Sequence, residues 1–197
     1  MKDYISYAID LIGKYGIDIP EREVRRRYSE IHRHFHTIEH LNDVLEQIII
    51  RRQDLSDVDF VSLIIAAIFH DIVYNPQRKD NEERSAELLE FYTTTLDESE
   101  YYEIKENARK IILATKTHDK IHGLIYNFNK IDCSILNGSY LELLRWEEQI
   151  YKEYEFAGWE QYKERRIKFL ELSIPEHKDN EFNLGLLIDY IKSDYLS

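Results

Sequence analysis

Two histidines four residues apart, His36 and His40, lie within a segment that also carries His32 and His34. If both members of the pair are helical, they project from the same side of the helix, beside its apolar stripe at Val44. Such a pair can ligate a metal ion, or one member can ligate while its neighbour transfers protons. A solvated histidine pair at the start of a helix is the alternative when the segment is considered alone.

Two further positions offer metal-binding chemistry. His70 and Asp71 follow the most apolar segment of the chain, where a carboxylate is costly unless it is paired or bound to a cation. The last turn of a helix also presents unpaired carbonyls that favour a positive ion. Asp132 borders an apolar face, next to Ile131 and Ile135. Taken singly, a capping aspartate, a core histidine and a helix-flank acid explain these residues as well.

The elements that must position these side chains are helices. Apolar residues recur with the helical period along almost the whole chain, and only 6 Gly and 3 Pro are available for sharp turns. Ser56 is a plausible N-cap for the apolar segment. We expect an all-α fold in one domain, residues 1–197, with a metal-site core over about 22–140 and additional helices over about 141–197. The predicted helices are about 4–15, 21–30, 37–52, 57–71, 81–96, 98–115, 127–137, 139–157, 159–173 and 180–195.

Composition excludes several classes of protein. Acidic residues outnumber basic ones by 38 to 26, so the net charge of −12 argues against binding of extended nucleic acid. The longest stretch without Asp, Glu, Lys or Arg runs from Phe60 to His70, well short of the roughly 20 residues that a membrane span needs. The single cysteine, Cys133, rules out an intrachain disulfide. We therefore expect a cytoplasmic protein without a membrane segment.

The order His40, then His70-Asp71, then Asp132 resembles the H…HD…D pattern of the HD superfamily of metal-dependent phosphohydrolases. Residues 32–40 (HRHFHTIEH) look like the R-x-Y-H-x-x-x-H signature of one branch, with Phe35 where tyrosine is usual. Further blocks look like 69–74 (FHDIVY) with 80–86 (DNEERSA), 114–118 (ATKTH) and 131–136 (IDCSIL). The resemblance as a whole spans the chain from about residue 22 to the 180s.

The resemblance implies a single HD-domain helical bundle that binds one divalent metal ion through His40, His70, Asp71 and Asp132. Two imidazoles and two carboxylates suit Mn, Fe, Co, Ni, Zn or Mg without selecting among them. A second ion is the less favoured arrangement, and a closed structural zinc site is the alternative. Asp71 or Asp132 would accept hydrogen bonds from the attacking water.

Other roles also follow from the resemblance. In the distantly related cyclic-nucleotide phosphodiesterases, the first histidine of H-x-x-x-H protonates the leaving group, which makes His36 a candidate general acid. Glu82 is a candidate for orienting the water, although an acidic first helical turn explains both it and Glu83. Arg33, Lys116 and His118 are the expected substrate-binding residues. The remaining histidines are expected at the surface: His32, His34, His122 and His177.

These observations predict an enzyme that hydrolyses a phosphate ester of a small molecule, such as a nucleotide, with metal-activated water. The alternative is a non-catalytic nucleotide- or metal-binding regulatory module on the same fold. A pure binding module has no evident need for His36, and that residue favours the enzyme.

Overall fold

The computed structural model describes residues 3–93, 101–117 and 123–193. Within these ranges the chain forms ten α-helices and no β-strand, which confirms the all-α prediction. The helices are α1 (Ile5–Gly13), α2 (Glu21–Tyr28), α3 (Ile38–Ile50), α4 (Asp57–Phe69), α5 (Asn81–Thr93), α6 (Tyr102–Ala114), α7 (Leu124–Asp132), α8 (Tyr140–Tyr154), α9 (Trp159–Ser173) and α10 (Glu181–Lys192).

The chain divides into two compact units, Met1–Asp132 and Cys133–Ser197. The first contains α1 to α7 and the second contains α8 to α10. All the residues predicted to act in chemistry belong to the first unit. The expectation of one domain over the whole length stays a prediction.

Helix α4 is the centre of the first unit. The Ser56 side chain accepts a hydrogen bond from the backbone N–H of Asp59 at 3.0 Å, which confirms the predicted N-cap. Every residue from Phe60 to Phe69 is buried, and α1, α3, α5, α6 and α7 all pack against this helix. Because each large apolar side chain contributes about 1.5–3 kcal/mol on full burial, this segment anchors the unit. Its C-terminal end, where His70 follows, is therefore held firmly.

The second unit has its own core, in which α10 packs against α8 and α9. Leu143, Leu170 and Leu184 are among its buried residues. A capping box starts α8: the Ser139 hydroxyl accepts from the N–H of Glu142, while the Glu142 carboxylate accepts from the N–H of Ser139. Local side-chain bonds therefore satisfy two backbone N–H groups at the start of α8.

Two expectations from the sequence are wrong in detail. The helix predicted over 127–137 begins earlier, at Leu124, and ends at Asp132, where a 3₁₀-helix, Cys133–Asn137, continues the chain. His177, expected at the surface, is only 6% exposed, and its Nδ1 lies 2.8 Å from the Asn137 amide oxygen. That hydrogen bond explains how the core of the second unit accommodates an imidazole.

The exposed histidines His32 and His34 agree with the sequence-based prediction. The start of the helix predicted over 98–115 lies outside the described residues, as does His122. Among the described helices, none combines the length and the apolar character needed to cross a bilayer.

Candidate metal centre

Three predicted ligands from three different helices meet in the first unit. His40 lies in the first turn of α3, His70 immediately follows α4, and Asp132 is the last residue of α7. One potential ligand atom from each side chain lies within 4.8 Å of the other two. The Oδ1 atom of Asp132 is 3.1 Å from His40 Nε2 and 3.5 Å from His70 Nε2. Two imidazoles and a carboxylate thus converge on one point.

Packing of the helices explains this convergence. Helices α3, α4 and α7 contact one another pairwise through apolar faces. Leu41 and Val44 on α3, and Phe128 and Ile131 on α7, are buried in the same core as α4. His40 and Asp132 each lie next to such buried positions, so the packing that buries the apolar residues also brings the polar ones together.

His70 is held in the orientation that a metal ligand requires. Its Nδ1 lies 2.9 Å from the carbonyl oxygen of Ala67. Because a carbonyl can only accept, this bond places the proton on Nδ1 and directs Nε2 towards Asp132. The Nε2 atom is buried and has no hydrogen-bond partner in the described structure. An unsatisfied buried nitrogen costs about 1–3 kcal/mol, and a cation at this position would satisfy it. The residues therefore fit a divalent metal ion.

Asp71 lies beside these three ligands. Its Oδ2 atom is 3.2 Å from His70 Nε2 and 3.8 Å from His36 Nε2. It is not one of the three residues whose ligand atoms are all mutually close. The carboxylate thus lies between the candidate ligands and His36, and its role as a fourth ligand stays a prediction.

The charges of these groups depend strongly on each other. Burial by itself lowers the pKa of His70, but the negative charge of Asp71, with smaller contributions from Tyr28 and the nearby Asp132 carboxylate, outweighs it and holds the pKa well above its ordinary value. Burial likewise raises the pKa of Asp71, yet His70 and His36 bring it well below the usual range. Asp71 is therefore an ionised carboxylate in a partly buried setting, the form in which a carboxylate can bind a cation.

His36 reaches the site from outside the helix. Helix α3 begins at Ile38, so the sequence argument from helical spacing applies to His40 but not to His36. The imidazole of His36 is nevertheless 5.7 Å from that of His40, ring centre to ring centre, and 4.4 Å from the ring of Tyr74. Its side chain is 21% exposed. His36 thus borders the three converging ligands and keeps access to solvent.

Glu82 lies in the first turn of α5, and Lys116, which follows the end of α6, contacts residues near that turn. Burial raises the pKa of Glu82, and the nearby charge of Asp71 adds to the effect. The Lys116 ammonium donates to the backbone carbonyl of Lys79 at 2.6 Å and pairs with the Glu83 carboxylate, while Glu82 is 4.0 Å away. The structure thus connects Lys116 to acidic residues of α5. Its predicted contact with substrate stays a prediction.

Arg33 has a position that the sequence does not suggest. Its side chain has no exposed surface, and its donors bond the carbonyl oxygens of His36 and Ile72 at 3.1 and 3.3 Å. The interpretation of Arg33 as a phosphate ligand requires an accessible guanidinium, which this arrangement does not provide. His118, the remaining predicted substrate contact, lies outside the described residues.

The sequence analysis did not predict the aromatic side chains that surround the histidines of the site. The ring of Phe35 is 4.9 Å from the rings of both His36 and His40, and the ring of Phe128 is 5.4 Å from that of His70. These apolar walls lower the local dielectric and strengthen electrostatic interactions inside the site. The available signal was the position of Phe35 between two histidines, inside the signature segment.

No family model, curated protein or solved structure matches this chain. By its own geometry, the chain is an all-α protein in which a His40–His70–Asp132 cluster could hold a metal ion.

Proposed function

We propose that this chain is a metal-dependent phosphohydrolase of the HD type, which cleaves a phosphate ester of a small molecule such as a nucleotide. The observation that carries the proposal is the convergence of His40, His70 and Asp132, in the chain order that the HD pattern requires. The buried Nε2 of His70 supports it, because the bond at Nδ1 directs this atom towards the carboxylates of Asp71 and Asp132, where a cation would lie between them.

His40, His70 and Asp132 would hold the ion, with Asp71 as the proposed fourth ligand. A divalent ion bound there supplies Lewis acidity towards a phosphoryl oxygen and lowers the pKa of water. Asp71 or Asp132 would accept hydrogen bonds from an attacking water. Glu82, half-buried beside Asp71, is the proposed residue that orients this water.

His36 is the proposed general acid. It lies 3.8 Å from Asp71 and outside the group of three mutually close ligands, so a proton on its imidazole is available to a leaving oxygen. The ordinary pKa of a histidine, near 6.5, suits proton delivery at neutral pH. Partial exposure of its side chain allows the proton to be replaced from solvent between turnovers.

One observation favours the non-catalytic alternative. The two cations predicted to bind phosphate are otherwise engaged: Arg33 is buried, and Lys116 pairs with Glu83. A regulatory module that binds only a metal ion needs neither of them. The experiment below therefore has to separate turnover from binding.

The test is phosphate release from nucleotides and sugar phosphates, with each divalent metal in turn. We expect metal-dependent release that is lost in H40A, H70A and D132A, together with the bound ion. H36A should keep the metal and lose roughly 10²–10⁴-fold in turnover, the usual contribution of a general acid. The loss should be smaller with a p-nitrophenyl ester, whose leaving group needs less protonation. H34A, at an exposed neighbouring position, is the matched control and should behave like the native chain.

Three outcomes would contradict the proposal in different ways. Metal and nucleotide binding without turnover on any ester would favour the regulatory module. Loss of the metal in H36A would make His36 a ligand rather than an acid. Unchanged metal content in all three ligand variants would remove the candidate site altogether.

A further inference from the structure

Arg33 is the most completely buried cation among the residues discussed, and its two terminal nitrogens bond backbone segments of the candidate site. Its Nη1 donates to the carbonyl oxygen of His36 at 3.1 Å, and its Nη2 donates to the carbonyl oxygen of Ile72 at 3.3 Å. His36 is the proposed acid, and Ile72 directly follows Asp71. One guanidinium therefore joins the two backbone segments that carry these side chains.

The surroundings keep this guanidinium in place. Its central carbon lies 5.0 Å from the ring centre of Tyr28 and 5.2 Å from that of Tyr74, within range of cation–π attraction from both. The Nε atom is 3.3 Å from the carboxylate of Glu30, which supplies the opposite charge. A buried arginine is stable only when its donors are satisfied, and here they are satisfied by the chain itself.

The two rings connect the guanidinium to more of the site. The Tyr28 hydroxyl donates to the carbonyl of Ile68 at 3.1 Å, close to the end of α4. The ring of Tyr74 lies 4.4 Å from that of His36, tilted by 33°, and the carbonyl oxygen of Tyr74 lies 2.7 Å from Nε2 of His32. Contacts of Tyr28 and Tyr74, beside the Arg33 guanidinium, thus add to the bonds that hold the segment before α3 against the segment after α4.

We propose that Arg33 is a positioning residue: it fixes His36 relative to Asp71, and it does not bind the substrate phosphate. This inference rests on the proposed function, because it assigns Arg33 a role through the proposed acid. A planar fork of donors can reach two carbonyls at once, whereas a lysine ammonium is a point donor on a flexible stem. A displacement of about 1 Å in a catalytic group can lower the rate around 10²-fold. Loss of the guanidinium that holds His36 in place should therefore have a measurable effect on turnover.

The first test is steady-state kinetics on R33M, with the nucleotide or sugar phosphate that the native chain hydrolyses fastest as substrate, because its leaving group needs the proton from His36. We expect kcat to fall about 10²-fold while KM and metal content stay within twofold of the native values. A phosphate-binding arginine would instead raise KM, and that result would overturn the proposal. R22M, which removes an exposed arginine at the start of α2, is the matched control and should leave both constants unchanged.

The second test combines R33M with H36A. Because Arg33 is proposed to act through His36, R33M should lower turnover less than threefold once His36 is absent. An equal loss in both backgrounds would show an independent role and contradict the proposal.

Hydrogen exchange supplies a readout that does not depend on turnover. In R33M we expect faster exchange in residues 33–37 and 72–75, with the amides of α4 and α6 unchanged. Unchanged exchange in both segments would refute the positioning role. If R33M does not fold, R33K decides the matter. It keeps the charge but not the fork, so wild-type exchange together with wild-type kcat in R33K would equally refute it.

Failure of the proposed function gives a different pattern. Absence of metal-dependent turnover in the native chain would contradict the proposed phosphohydrolase activity. The exchange experiment would still show whether Arg33 holds residues 33–37 and 72–75 in place. Native turnover with an unaffected R33M would remove only the positioning role.

Discussion

Replacement of Asp132 by asparagine tests the candidate metal centre with the smallest change of shape. The Oδ1 atom of Asp132 lies 3.1 Å from His40 Nε2 and 3.5 Å from His70 Nε2, and the side chain is 12% exposed. Asparagine fills the same volume but removes the negative charge that would neutralise a bound cation. It also presents an NH₂ group, which cannot ligate a metal, on one side of the amide.

The size of the effect follows from mass action. At a metal concentration 100 times the dissociation constant, binding stabilises the folded native chain by about 2.7 kcal/mol. A chain of this size gains about 2–4 °C in Tm per kcal/mol, so the metal should raise the Tm by roughly 5–11 °C. Loss of a charged ligand should weaken affinity at least as much as loss of an outer partner, about 100-fold. At the same metal concentration the stabilisation then falls to about 0.4 kcal/mol, or roughly 1–2 °C.

Scanning calorimetry with and without the metal measures this difference within each variant, so any direct effect of the substitution on stability cancels. Equilibrium dialysis gives the metal content alongside. D10N, which neutralises an exposed acid on α1, is the control and should keep the full metal-induced increase in Tm. If D132N gains as many degrees from the metal as the native chain, Asp132 is not a ligand and the reasoning fails.

Three further substitutions test features away from the candidate ligands. E147Q should lower the free energy of unfolding, measured in urea, by about 3 kcal/mol. The reason is that Glu147 has no exposed surface and its carboxylate accepts a hydrogen bond from Arg166 Nε at 2.8 Å. A change below about 1 kcal/mol would contradict this. G138A should lower the free energy of unfolding by about 1–3 kcal/mol, because an added Cβ would lie 2.6 Å from the indole of Trp146. An unaltered Tm would show that the ring moves aside. The side-chain bonds of Glu23 to neighbouring arginines lower its pKa from 4.5 to about 2. The resulting stabilisation is complete above about pH 4.5 and disappears as the pH falls to about 2. E23Q should therefore lower the free energy of unfolding by up to about 1 kcal/mol at pH 7 and by progressively less below pH 4.5. Unfolding measured across that pH range checks this.

The sequence predicts those parts of the fold in which local signals agree with tertiary packing. Helix α4 is the clearest case, because a continuous apolar run, the Ser56 cap and acidic first-turn residues all indicate one helix. The end of α7 is different. Helical periodicity continues into residues 133–137, yet the backbone tightens there into a 3₁₀-helix at the boundary between the two compact units. Periodicity alone does not distinguish the two kinds of helix.

The candidate site shows a similar division. The resemblance of the chain to the H…HD…D pattern predicts His40, His70 and Asp132, and the structure brings one potential ligand atom of each within 4.8 Å of the other two. Arg33 could not be placed in this way, because an arginine beside a histidine-rich segment is equally suited to a phosphate and to backbone carbonyls. Its burial depends on Tyr28 and Tyr74, which come from different parts of the chain. Only the tertiary structure brings them together.

Both tryptophans of the chain, Trp146 and Trp159, belong to the second unit, whereas the candidate ligands belong to the first. Tryptophan emission is therefore an intrinsic optical reporter of the unit that does not contain the candidate ligands. If the metal shifts the unfolding midpoint detected by tryptophan emission, then its binding also stabilises the second unit. Coincidence of that midpoint with the calorimetric one would show that the chain unfolds cooperatively as a whole. The native sequence thus permits this measurement without any added label.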